Sequence, residues 1–438
     1  MQDSPFYEVL QLMVVNMEKR KMKKFTVLVL ALCLVAFVVS CSDDDDDTIS
    51  QGEVSFDISH VVSKMTNADS NPEIVRMVPG TDDQAVVICS AANTLLPITY
   101  TATDFTFGTA VNVDPGSSTS ETTSIDISIA IDGTNYIAVC VAEADCAPGR
   151  VLLVSYPDMT TVASVTIGYN PDGCAFTKDG SFLVVACEDD REDRACKPDD
   201  RWGGSVAIID LTDGVENASL AQLFMVDWAE DSEPEHAETA EDGTTIVSVQ
   251  ETSQVIIFNV NDAPLEAGEY TVVDLPDDDG GNPAEPDGMY ITPDGLYGVI
   301  SNEKNGSFYM LDLATGEVLS KTTIEDDLTK PPYTFDERKA TKRTEPEECS
   351  VVEWGGNLYA VFALQESHGV VVYDITDPVN PMFDSADVVG LDPENDMSDE
   401  GSEIGCEGLA AHPTNGVILT ANERQGSVSM LVATGNKN

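Results

Sequence analysis

Residues 284–313, AEPDGMYITPDGLYGVISNEKNGSFYMLDL, decide the fold. They read as an acidic loop, a strand, a tight Asp-Gly turn, a second strand, an Asn-Glu-x-x-Gly loop and a third strand ending in Asp-Leu. The phrase recurs at 171–211 (PDGCAFTKDGSFLVVACE, then GGSVAIIDL), at 235–260 (EHAETAEDGTTIVSVQETSQVIIFNV), at 348–375 (ECSVVEWGGNLYAVFALQESHGVVVYDI) and at 407–432 (EGLAAHPTNGVILTANERQGSVSMLV). Four copies keep one interval between a leading and a following carboxylate: Asp172 and Glu188, Glu235 and Glu251, Asp287 and Glu303, Glu407 and Glu423. The copy running from Glu348 to Glu366 is longer, with an enlarged hairpin turn at Trp354, Gly355, Gly356 and Asn357.

A unit with three or four short strands cannot bury its own apolar face, so several units must pack on one another, as propeller blades do. The units fall at about 70–115, 121–165, 170–220, 233–275, 284–325, 345–386 and 404–433; the first two are degenerate. The count is seven, against six or eight. The last unit shows only three strands, and residues 50–58, SQGEVSFDI, form an early strand without a hairpin partner. That strand is expected to complete the last blade and close the ring. No stretch resembles a long amphipathic helix, so the fold class is all-β: a seven-bladed propeller of mainly four-stranded antiparallel sheets over 50–433, followed by a tail at 434–438.

The segment ahead of the propeller is read as targeting. Lys19, Arg20, Lys21, Lys23 and Lys24 precede the apolar run FTVLVLALCLVAFVV, which ends at Ser40 and Cys41. This is the order of a signal peptide, over 1–40, and the run is short for a permanent membrane span. Met17 and Met22 are alternative starts. Val38 to Cys41 resembles a bacterial lipobox, which makes Cys41 the lipidated first residue of the mature chain; ordinary secretory cleavage is the other reading. Asp43 to Asp47 then form an acidic tether over 41–49. Ser42, in place of Asp, favours the outer membrane, so the expected location is the cell envelope, lipid-anchored at the outer membrane or cell surface.

Acidic residues outnumber basic ones 78 to 22, a formal net charge of -56, and beyond one short stretch at 338–343 no basic patch follows the signal region. Nucleic acid is therefore excluded as a partner. His60, His236, His368 and His412 show no zinc-ligand spacing. Export permits disulfides. Cys140 with Cys146 and Cys187 with Cys196 flank acidic loops as local staples, Cys89 and Cys174 lie on expected strands, and Cys349 and Cys406 are placed to meet across neighbouring blades. Buried free thiols are the alternative. Polar insertions at 187–204, 276–286, 329–346 and 384–405 are either a binding rim or solvated spacers.

The phrases quoted above, together with ESHGVVVYDITDPVNPMF at 366–383, resemble the choice-of-anchor I domain family over about 120–433, and weakly over the first unit. The resemblance implies a secreted or surface β-propeller, of a kind often labelled alkaline-phosphatase-like. This chain departs from the family wording at Cys406, where a Pro precedes the Glu-Gly pair, and at His236 and Ala237 after Glu235.

Equivalent positions in a propeller recur around its axis. Asp172, Glu235, Asp287, Glu348 and Glu407 are therefore expected to form one acidic ring, and Glu188, Glu251, Glu303, Glu366 and Glu423 a second. Converging carboxylates raise one another's pKa unless cations compensate. Calcium is the natural cation, because it accepts many oxygen ligands in irregular geometry; Lys304 and Arg424 are the basic residues nearest the ring in sequence. The alternative is structural, with the acids accepting backbone hydrogen bonds that specify the repeat.

Two functions follow. One is a monomeric, membrane-tethered binding module, partnered through Cys41 with lipid and through its loops with a surface protein or polysaccharide. The other is a metal-dependent phosphoesterase using channel carboxylates and Cys349 or Cys406. Such an enzyme needs positive charge, and the concentrated basic stretch of the mature chain is Arg338, Lys339, Lys342 and Arg343.

Overall fold

The computed structural model describes residues 54–66, 70–113, 116, 120–143, 147–188, 204–225, 232–266, 268–277, 281–328, 344–391 and 404–437. The signal and lipobox region, Cys146, Cys196 and the basic stretch at 338–343 lie outside the described residues.

Seven antiparallel sheets form a β-propeller, and apart from the closing strand and one extra strand of blade 1 each strand pairs with its sequence neighbour. Blade 5, cut from the opening phrase, is the template: Pro286–Ile291, Tyr297–Asn302, Ser307–Asp312 and Glu317–Thr323, innermost to outermost. Its first hairpin turns on Thr292, whose hydroxyl donates to Asp294 Oδ1 at 2.7 Å, and on Gly295, whose positive φ of 72° suits glycine. Blade 3 repeats the device with Thr177, Asp179 and Gly180. Blade 1 carries a fifth strand, Val111–Asn112, beside its third.

The core lies between blades. Seven apolar clusters each join two neighbouring sheets. In the seam of blades 5 and 6, Phe308 packs on Phe362 at 4.7 Å and on Tyr373 at 4.9 Å between ring centroids. Burial of each large apolar side chain contributes roughly 1.5–3 kcal/mol, so every blade is stabilised by two neighbours and the ring must close.

Closure uses the strand Ile58–Met65, paired antiparallel with Ser427–Ala433 as the outermost strand of blade 7. The expected closing strand at 50–58 is thus displaced toward the C-terminus, although its role stands. Phe56 anchors the preceding segment in the seam of blades 6 and 7, 5.3 Å from both Trp354 and Tyr359 by ring centroids. Asp57 then takes a positive φ of 33° and turns the chain into the strand. Asp384 Oδ1 accepts from Asp57 N at 2.9 Å, and Asp387 Oδ2 from His60 N at 2.8 Å, bracing this strand against blade 6.

Among the described residues no helix is long and apolar enough to cross a membrane. Their cysteines (Cys89, Cys140, Cys174, Cys187, Cys349 and Cys406) are all buried with free thiols. Cys349 belongs to the seam of blades 5 and 6 and Cys406 to that of blades 6 and 7, so the two do not meet as expected. Of the two expected staples the described partners, Cys140 and Cys187, are strand residues facing the seam of blades 2 and 3.

Candidate functional site in the axial channel

The innermost strands, Pro72–Met77, Glu121–Ile127, Pro171–Phe176, Pro234–Thr239, Pro286–Ile291, Pro346–Trp354 and Cys406–Ala411, pack against one another around the axis. Each contains a bulge near its start: pairing skips from Pro286 to Met289, and likewise from Pro72 to Val75, Thr122 to Ile125, Pro171 to Cys174, Pro234 to Ala237, Pro346 to Cys349 and Cys406 to Gly408. A bulge frees residues from the ladder and re-aims their side chains. Proline costs little here, because it opens the strand and its missing N–H falls at an edge.

The residues just inside the bulge form the first tier: Glu73, Thr123, Asp172, Glu235, Asp287, Glu347 and Glu407. They line one cavity of about 220 Å³ with Glu188, Gln250 and Glu303. Register places Glu347, not Glu348, beside Asp287 and Glu235, and it adds Glu73 from the degenerate first unit. A Pro-acid dipeptide marks both, at Pro72-Glu73 and Pro346-Glu347, and is the signal that the interval between carboxylates hides.

The following acids sort in the same way. In blades 3 to 7 the residue after the second strand donates its N–H to the residue before the bulge: Glu188 to Asn170 O at 2.9 Å, Gln250 to Glu233 O at 2.8 Å, Glu303 to Glu285 O at 3.2 Å, Gln365 to Glu345 O at 2.9 Å and Glu423 to Gly405 O at 2.8 Å. Glu251 and Glu366 are therefore one residue out of place. The first hairpin of blade 4 is one residue shorter than that of blade 3, so the constant interval from Glu235 overshoots Gln250. Glu251 is exposed in a turn, and Glu366 pairs with Arg424 at 2.8 Å.

The first tier is electrostatically loaded. Two triplets bring ligand oxygens within 4.8 Å of one another: Glu188, Glu233 and Glu235, and Asp287, Glu303 and Glu347. Burial, and then repulsion from neighbouring carboxylates, holds Glu235 and Glu347 well above the usual carboxylate range. Burial also raises Glu73, Asp172 and Asp287, and it pushes Glu407 up to about 8 despite a hydrogen bond from Gln365. Lys304 and Arg424 do not enter this chamber; they pair with Glu285 and Glu366 in the flanking loops.

The second tier explains the altered wording at His236. A Cβ on Gly173, Gly288 or Gly408 would lie 2.3 Å from a backbone oxygen of the next blade, at Glu235, Glu347 and Glu73 respectively. These glycines face the larger residues at the matching position of the following blade, His236, Glu348 and Ile74. Glycine and bulk alternate across these seams so that the inner strands can close on the axis.

Below the second tier lies a different chamber of about 240 Å³. Its tier, matched by register, is Arg76, Asp126, Ala175, Glu238, Tyr290, Ser350 and Ala410. Arg76 pairs with Glu348 at 2.8 Å, and Lys178, from the blade 3 turn, with Glu238 at 2.7 Å. Asp126 accepts from Phe176 N at 2.8 Å, and His236 Nε2 stands 4.0 Å from Glu348. Burial raises Asp126 even though Arg76 and Lys178 oppose it. Cys349 lines this chamber, but burial and the Glu348 charge hold its thiol well above its usual range, which keeps it from acting as a thiolate. His236 and Glu348 border both chambers.

The propeller is similar to solved structures of unlike function. Kuenenia stuttgartiensis hydrazine synthase matches at 15% identity and TM-score 0.59, covering 86% of this chain and 99% of that one. A catalytically inactive virginiamycin B lyase from Staphylococcus aureus with quinupristin matches at 12% identity and TM-score 0.53, covering 86% and 98%. A streptogramin B lyase matches at 11% identity and TM-score 0.53, covering 88% and 100%. These likenesses carry the fold alone. No curated protein matches the sequence. The family model of the choice-of-anchor I domain matches residues 67–320, more than half of the chain, and the chain belongs to that family.

Proposed function

We propose that this chain is a surface-tethered binding module whose propeller is stiffened by a hard divalent cation, calcium by chemistry, in the first-tier chamber. The observation that carries this reading is the convergence of six carboxylates, Glu235 and Glu347 buried and Glu73, Asp172, Asp287 and Glu407 half-buried, in a cavity that no Lys or Arg lines among the described residues. The donor set is all oxygen and irregular, which fits calcium and does not fit zinc or a softer metal. Glu188, Glu233 and Glu235 on one side, and Asp287, Glu303 and Glu347 on the other, would hold the ion. Lipidation at Cys41 would supply the tether, and a choice-of-anchor domain is in keeping with a cell-surface location. The ligand of such a module is a surface protein or polysaccharide met by its loops.

Phosphoester hydrolysis fits the geometry less well. Arg76 and Lys178 are each engaged by carboxylates, which leaves neither ready for a phosphate. The test is metal analysis and thermal unfolding of residues 42–438 with calcium and with chelator. At calcium about 1,000 times its Kd, linkage gives roughly 4 kcal/mol of stabilisation, read as a raised Tm. Protein that purifies without metal and keeps the same Tm in calcium and chelator would sink the cation reading. Phosphoester turnover lost with the metal would replace the module by an enzyme.

A further inference from the structure

The third tier is built unlike the first. Charged side chains of both signs gather here from blades 6, 1, 2, 3 and 4: Glu348 from the second tier, Arg76, Asp126, Lys178 from the blade 3 turn, and Glu238. Arg76 pairs with Glu348 and Lys178 with Glu238, and both cations stand within electrostatic reach of Asp126. An anion entering here must displace a carboxylate already in place. Among these five side chains three acids face two bases. The small side chains of Ser350 and Ala410 keep the space open, and Met289 and Leu409 give it apolar walls. Tyr290 stands within electrostatic reach of Asp126, Glu238 and Lys178, and its hydroxyl accepts or donates no hydrogen bond among the described residues.

We propose that this chamber binds a small organic cation, a primary ammonium or guanidinium group, seated between Asp126, Glu238 and the Tyr290 ring and hydroxyl. The carboxylates supply charge-assisted hydrogen bonds and the ring face supplies a cation–π contact. The volume of about 240 Å³ suits a short amine or the end of a lysine or arginine side chain. The site is distinct from the calcium chamber and meets it at His236 and Glu348.

The test is calorimetric titration of residues 42–438, in calcium and again in chelator, with n-butylammonium and with its neutral and anionic counterparts, n-butanol and butyrate. Binding of the amine alone is expected. Glu238→Gln should weaken it about tenfold, the loss of one charged hydrogen bond. Lys178→Met removes a competing cation and should tighten binding, a gain that misfolding cannot imitate. Glu407→Gln, in the other chamber, should leave it unchanged. Equal binding of butyrate or butanol, weakening by Lys178→Met, or loss of the amine on Glu407→Gln would each overturn the proposal. A lysine-bearing peptide titrated beside its Nε-acetylated form separates the two sources of the group. Tighter binding of the unmodified peptide than of butylammonium assigns the site to a partner's side chain, and the reverse order assigns it to a free amine.

Discussion

The two chambers of the channel share one set of strands and differ in how they use it. In the first tier six of seven blades offer the same chemistry, a carboxylate behind a bulge. In the third tier the same strands offer Arg76, Asp126, Ala175, Glu238, Tyr290, Ser350 and Ala410, no two adjacent blades alike. A repeated residue can serve each blade in the same way and so belongs to the making of the ring or to an ion on its axis. A ring that differs at every step has direction, and only a directional ring can fix the orientation of an asymmetric ligand.

The sharpest way to break this contrast is Glu348→Gln. Glu348, in the second tier, is the partner of the third tier's largely buried Arg76, at 2.8 Å, with side-chain exposures of 6% and 15%. Removing one member of a buried pair leaves the other charge unpaired, and the expected loss is about 3 kcal/mol, read from denaturant unfolding with the calcium response retained. An effect confined to calcium binding would place Glu348 in the acidic ring after all.

The next effect concerns the first tier and appears as a dependence on pH. Glu407 has a folded-state pKa of about 8, above that of an unfolded carboxyl, because of burial and the carboxylates around it. The folded protein therefore holds the proton longer. Without metal, the stability this contributes is complete below the unfolded pKa of about 4.3, and it falls as pH rises through about 8, at most by about 1.4 kcal/mol per unit for one group. Glu407→Gln should flatten part of that slope in chelator, and calcium should flatten more of it by neutralising the ring. A metal-free protein whose stability rises between pH 5 and 8 would contradict the burial of these acids.

The smallest effect separates reading by spacing from reading by register. The propeller, its seven blades and the acids Asp172, Glu235, Asp287 and Glu407 were legible because each rests on a local phrase: Asp-Gly turns, alternating strands and a carboxylate at the strand start. The closing strand was misplaced because Phe56, apolar and flanked by strand-like residues, is held by aromatic packing against Trp354 and Tyr359 rather than by a ladder. The third tier was illegible because Arg76, Asp126 and Lys178 occur once each, and nothing local announces that 50-residue separations meet at one axis. Glu251 lies between these cases. A constant interval put it in a ring, yet the shorter hairpin of blade 4 hands that place to Gln250 and leaves Glu251 exposed. Glu251→Gln should then change stability by less than about 0.5 kcal/mol, as for an ordinary surface site, and leave calcium affinity where it was. Glu303→Gln, which removes a carboxylate from the Asp287 triplet, should weaken calcium in the same assay. Equal losses from the two variants would mean that spacing, not the bulge register, sets which acids reach the axis.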